Sequence, residues 1–235
     1  LTNERGLKNA TIWLHCMWLK GVVMRAHYNG LIPRNPFAQF HNSPNVKERE
    51  YLTEDEIKAI MKHEFESSTL TLVRDLFIFA CFTALSFVDM KELTTDNIVE
   101  INGEKWITGK RHKTDVPFQV KLLDIPMQII ERYKNRSEDK SVFGKINYWT
   151  MCKQLKKVIQ ECGIEKQLSY HCGRHTFGTL ALTKGLPIES VRRVLGHTNI
   201  VTAQIYAKIT TQKLDNDLTM SGDKLSKTFN GITMS

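Results

Sequence analysis

The sequence has 235 residues, and 41% of them are hydrophobic, enough for a real core and too many for a disordered chain. Lysine and arginine outnumber aspartate and glutamate by 33 to 25, and the resulting net charge of +8 favours polyanionic partners through phosphate contacts and counterion release. No apolar run is long enough to span a bilayer, and the five cysteines form no Cys-x-x-Cys pair, which argues against a zinc ribbon or a disulfide framework and fits a reducing cytoplasm.

The start, Leu1-Thr2-Asn3-Glu4, is neither a methionine nor a signal peptide and reads as a cut inside a longer protein. Apolar spacing predicts a helix from about Leu7 to Tyr28, ended by Gly30, Pro33 and Asn35-Pro36. One helix cannot bury its own apolar face, so residues 1–40 are expected to be the end of a truncated preceding domain. Residues 41–50 are polar, contain Pro44 and read as a linker.

A second domain is expected over residues 51–215. Thr53 with Glu56 forms a capping box ahead of a helix bearing Ile57, Ile60 and Met61. A strongly apolar helix follows from about Leu70 to Leu85. Then the period changes. Asn97 to Ile101 and Lys105 to Thr108 flank Asn102-Gly103, a strong hairpin signal, and a third strand runs from Val116 to Leu122. Helices resume at Asp124 with Pro126 in the first turn, from Asn147 to Cys162, from Ser169 to Lys184, from Ile188 to Leu195 and from Thr202 to Ile209. Three of them stop at Gly163, Gly185 and Gly196. Residues 216–235 form a polar tail with scattered apolar residues (Leu218, Met220, Leu225, Phe229, Ile232). The fold class is α+β, mainly α-helical with a small three-stranded antiparallel sheet.

Candidate chemistry lies in four places along this chain: Lys113 at a hairpin turn, His171-Cys172-Gly173-Arg174 opening a helix, Leu195-Gly196-His197 ending one, and Tyr206 nine residues on. Each has an ordinary structural alternative. Lys113 can be a solvated turn residue, His197 a helix-end residue near the dipole, and Tyr206 a half-buried packing residue. The pair His171 and His175 has zinc spacing, but the glutamate of a His-Glu-x-x-His motif and an evident third ligand are both absent, so no metal is expected.

In this order the segments resemble the tyrosine recombinase (phage integrase) family. Leu168 to Phe177 matches the family's His-x-x-Arg box. Val194 to Thr198 followed by Thr202 to Tyr206 matches the next box and the nucleophile. The resemblance covers about Tyr51 to Ile209, with Leu1 to Phe40 similar to the end of the family's helical core-binding domain. It implies a recombinase that cuts and rejoins duplex DNA through a 3′-phosphotyrosine intermediate, to integrate and excise a mobile element. It further implies no cofactor, a homotetramer on attachment sites and a Holliday junction, accessory DNA-bending proteins as optional partners, no membrane partner, and a bacterial cytoplasmic location. Tyr206 is then the covalent nucleophile. Arg174 offers a planar fork matched to phosphate. His197 donates a further hydrogen bond, Lys113 protonates the leaving oxygen, and His171 accepts the tyrosine proton or orients the phosphate. Arg192 and Arg193 are candidate backbone contacts, and His175 is expected to support Arg174.

One position departs from the family pattern. The first catalytic arginine is expected after a Thr-Gly-Leu-like turn, and here the segment reads Thr83-Ala84-Leu85-Ser86. Similar integrases from conjugative transposons of Bacteroidetes also carry serine there. A serine hydroxyl has no charge, so a replacement cation is expected. Arg111 is favoured because it lies two residues before Lys113 and should share its side of the strand. Arg74 lies twelve residues before Ser86 on the preceding helix and helps only if the chain folds back; otherwise it pairs with Asp75 or Glu92. Asp89 and Glu92 are expected to cap a short helix or orient an arginine. Two other functions remain open: a relaxing DNA topoisomerase, and a DNA-binding regulator that has lost activity.

Overall fold

The computed structural model describes residues 6–41, 50–134 and 140–196, together with Thr219. The expected helix Thr202 to Ile209, the tail, and the site residues His197 and Tyr206 lie outside these described residues. The chain divides into two units, Leu1–Glu48 and Arg49–Ser235. Among the described residues, no helix is long and apolar enough to cross a membrane.

The first unit is built on helix α1, Asn9–Tyr28. None of its residues is buried, and Trp18 and Val22 stand 65% and 68% exposed. The helix therefore shows an apolar surface that its own unit does not cover.

The second unit begins with α2, Glu54–Lys62, on the capping box that the sequence predicts: Glu56 N–H donates to Thr53 Oγ1 at 3.2 Å and Thr53 N–H donates to the Glu56 carboxylate at 2.7 Å. Helix α3, Ser68–Thr83, is the spine of the core, with Val73, Leu76, Phe77 and Phe79 fully buried. Helices α5 (Asp124–Tyr133), α6 (Tyr148–Glu161) and α7 (Tyr170–Thr183) pack around it. Between α3 and the sheet lies a five-residue helix, α4, Phe87–Lys91, capped by Ser86, followed by a 3₁₀ turn at Thr95–Asn97.

The sheet has the order β1-β2-β3, from Ile98–Ile101, Glu104–Lys110 and Pro117–Lys121, all antiparallel. Asn102 and Gly103 both take positive φ, 54° and 76°, as a two-residue hairpin turn of the type I′ class requires. Ile107, Phe118 and Val120 point into the core and tie the sheet to the helices.

Helix α7 lies against α3 at close range. A Cβ added to Gly173 would sit 2.9 Å from Ala80 Cβ and 3.3 Å from the Phe77 carbonyl oxygen, so only glycine fits this crossing. The last described helix, α8, Ile188–Leu195, packs on α7 and β3 and buries Val191 and Leu195. It ends at Gly196 in the left-handed region, φ 63°.

Candidate active site

Two elements place the buried cationic side chains: α7 carries Arg174 and the base of the β2–β3 hairpin carries Arg111. Arg174 sits in the second turn of α7, 8% exposed, because the close α3–α7 crossing buries this part of the helix. Its Nη1 donates to the Ala84 carbonyl oxygen at 2.7 Å and its Nη2 donates to the Leu195 carbonyl oxygen. Ala84 is the left-handed cap of α3, φ 55°, two residues before Ser86. Arg174 thus joins the turn that leads into Ser86 to the last turn of α8.

Arg111 reaches the same last turn from the base of the β2–β3 hairpin. Its Nη2 donates to the Val194 carbonyl oxygen at 2.5 Å, one residue before the carbonyl that Arg174 holds. Its Nη1 donates to Asp89 Oδ2 at 2.8 Å, and the guanidinium lies 4.2 Å from the ring centre of Phe118, a stacking contact suited to arginine. Phe118 pairs with Gly109 in the sheet register, and its ring lies where a Gly109 side chain would be. A Cβ on Gly196 would come within 3.0 Å of Arg111 Nε, so Gly196 is required both by its φ and by the arginine beside it. Among the described residues, the buried Nε–H of Arg111 has no acceptor.

Asp89 is the hub of this arrangement. Its Oδ2 accepts from Arg111 and, at 2.8 Å, from Ser86 Oγ; its Oδ1 accepts the His112 backbone N–H at 3.1 Å. Ser86 Oγ also accepts the Asp89 N–H at 3.2 Å, capping α4. Burial works against the Asp89 carboxylate, but the donors from Arg111, His112 and Ser86 together outweigh it and hold its pKa below the ordinary value. Burial pulls Arg111 down from its ordinary value while Asp89 holds it up, and a guanidinium so paired stays cationic.

The expectation that Arg111 shares the side of Lys113 is corrected. Strand β2 ends at Lys110, and Arg111 closes the hairpin base: its N–H donates to Val116 O, and Thr114 and Asp115 N–H donate to its carbonyl oxygen. Two-residue alternation stops where the strand stops, so Arg111 is buried while Lys113 is exposed in the turn. Arg74 is not brought to Ser86. It donates to Asp75 Oδ1 at 2.5 Å and to the Met61 and His63 carbonyl oxygens, in a cluster where Arg132 and Tyr133 also bind Asp75.

His171 is exposed and His175 buried on α7, their rings edge to face at 4.7 Å. Arg193 is exposed and Arg192 partly so, on the last turn of α8. Among the described residues, no cluster of three or more histidine, cysteine, aspartate or glutamate side chains is placed to hold a metal ion. Two parts of the arrangement escape sequence reasoning: the Phe118 platform beneath Arg111, and the Val194 and Leu195 carbonyls that both arginines grip. A glycine facing an aromatic across a hairpin is the one local signal that could have pointed to the first.

A sequence model of the phage integrase family matches residues 50–213. The tyrosine recombinase XerC of Lactobacillus leichmannii is 26% identical over 229 residues, covering 91% of this chain and 77% of that protein. A tyrosine recombinase of Pseudothermotoga lettingae is 28% identical over 186 residues, covering 76% of this chain and 63% of the other, so the chain spans less than two thirds of that relative's length. The Tn1549 transposon integrase in complex with a circular intermediate DNA has a TM-score of 0.73 at 17% identity, over 93% of this chain and 82% of that one. A lambda integrase dimer bound to a core site has a TM-score of 0.68 at 18% identity, over 86% and 75%. The fold is that of a tyrosine recombinase catalytic domain. With the model match covering most of its length, the chain belongs to the phage integrase family.

Proposed function

We propose that this chain is the catalytic part of a metal-independent site-specific DNA recombinase, with Tyr206 as nucleophile. The observation that supports this most is the convergence of Arg111 and Arg174 on the last turn of α8, immediately before the segment 197–206. In this reading Tyr206 Oη attacks a backbone phosphorus, the bond to the 5′-oxygen breaks, and a 3′-phosphotyrosine remains. His171 takes the tyrosine proton, and Lys113 gives a proton to the leaving 5′-oxygen. Arg174, Arg111 and His197 meet the charge that builds on the phosphoryl oxygens. A 5′-hydroxyl from another strand reverses the step, which conserves the bond energy.

Arg111 takes the role of the cation that Ser86 does not supply. Ser86 reaches Asp89, Asp89 binds Arg111, and the guanidinium thereby lies beside the serine position although it comes from the base of the β2–β3 hairpin. Duplex DNA as partner is supported by the positive net charge and by the DNA held by the Tn1549 and lambda integrase neighbours. The same reading includes a homotetramer on a Holliday junction, accessory DNA-bending proteins, contacts of Arg192, Arg193 and His175 near the DNA, a bacterial cytoplasmic setting, and residues 1–40 as the end of a core-binding domain.

The test is a covalent adduct. A duplex selected from a random pool for binding to the full chain is nicked or given a 5′-bridging phosphorothiolate, and protein–DNA adduct is resolved on a denaturing gel. The parent is expected to form adduct and Tyr206→Phe none. Equal adduct in Tyr206→Phe rules out this nucleophile. Arg111→Ala is expected to lose about 10²–10³-fold in rate, the usual effect of removing one charge-stabilising donor; parental cleavage would remove Arg111 from the site. Ser86 favours a second reading, a regulator that binds DNA without cutting it, and binding with no adduct in the parent is its signature.

A further inference from the structure

We infer that Asp89 is a positioning residue for the general acid as well as for the cation: through the main chain at His112 it sets where Lys113 reaches. This rests on the role of Lys113 proposed above. Asp89 is buried on α4, outside the hairpin, and its two carboxylate oxygens bind three different groups. Oδ2 takes Arg111 Nη1 and Ser86 Oγ, and Oδ1 takes the backbone N–H of His112. Arg111 and His112 are the two residues that precede Lys113.

The turn beyond them is short and closed on Arg111, whose carbonyl oxygen accepts from Thr114 at 3.2 Å and Asp115 at 2.8 Å. Lys113 itself is exposed in that turn. Its long flexible stem gives it reach but no fixed place. A hairpin that rocked at its base would swing the Lys113 ammonium away from the leaving oxygen. The clamp at His112 removes that motion, because a hydrogen bond to a buried carboxylate is stronger than one to a neutral acceptor. Ser86 adds a donor to the same carboxylate and so fixes its rotamer. One side chain thereby holds the cation and the acid in a single register, and the serine takes part as an anchor for the carboxylate.

A 5′-bridging phosphorothiolate reads this directly. Its leaving sulfur departs as thiolate and needs no proton, so loss of the general acid slows cleavage of ordinary DNA and spares the sulfur substrate. The quantity measured is the ratio of adduct-forming rates on the two duplexes, at the cleavage position mapped by the adduct experiment. Lys113→Ala is expected to raise the ratio roughly 10²–10⁴-fold, the usual contribution of a general acid. Asp89→Asn and His112→Pro are expected to raise it at least about tenfold, part of that same contribution. His112→Pro removes the clamped N–H while leaving the Asp89–Arg111 pair, and proline suits the second position of a turn. His112→Ala keeps the N–H and is expected to keep the parental ratio. Arg111→Ala slows both substrates alike. A parental ratio in both Asp89→Asn and His112→Pro, with Lys113→Ala raised, overturns the positioning role and leaves the acid. A parental ratio in Lys113→Ala overturns the acid and this inference together.

Discussion

At the residue scale, the balance at Asp89 links the stability of the fold to pH. Its folded pKa lies below the unfolded value, so the carboxylate contributes stability above the ordinary carboxylate range, and that contribution is lost as pH falls through the lowered folded value. Asp89→Asn leaves Arg111 buried without its counter-charge. It is expected to destabilise the chain by about 3–5 kcal/mol near neutrality, the usual cost of breaking a buried pair from one side. The difference from the parent should shrink as pH drops below about 4. Urea unfolding of both proteins across that range measures it; parallel curves down to the acid end would show that Asp89 is not the titrating group. The same residue explains why Ser86 is tolerated: its hydroxyl is spent on Asp89 and on the cap of α4.

At the scale of elements, the site depends on one tight helix crossing. Arg174 is buried because α7 lies directly on α3 at Gly173. Gly173→Ala is expected to force the helices apart and to cost about 1–3 kcal/mol, as overpacking does elsewhere. Because Arg174 is the next residue, adduct formation should fall even where the variant remains folded. Equilibrium unfolding and the adduct assay together check this; wild-type values in both would mean the crossing relaxes freely. The hairpin is a second such element. Its Asn102-Gly103 turn was legible from turn chemistry, whereas the strand register that places Phe118 beneath Arg111 came from the tertiary structure.

At the scale of the whole molecule, an excess of 33 basic over 25 acidic residues calls for a salt-sensitive partner. Neutralising roughly 6–10 phosphates should make the logarithm of the binding constant for duplex DNA fall with the logarithm of salt concentration at a slope of about −5 to −9. A titration of the full chain against duplex DNA at several salt concentrations gives the slope; a slope near zero would mean that the charge is not used on phosphate.

The sequence by itself determined the helices of the described residues, the Thr53–Glu56 capping box, the Asn102-Gly103 hairpin and the order of the boxes that mark the family. These follow from local rules: spacing, turn residues and capping partners lie within a few positions of one another. It also named Arg111 and Asp89, but it put Arg111 on the wrong face and left Arg74 open. Those were decided only by tertiary structure. Where a strand ends is set by what packs on it, and the partner of a buried arginine is set by chain segments far away in sequence. Asp89 binds Arg111 across 22 positions and Val194 binds it across 83. A charge taken out of water must find its donors and acceptors wherever the fold brings them, and no local pattern records that choice.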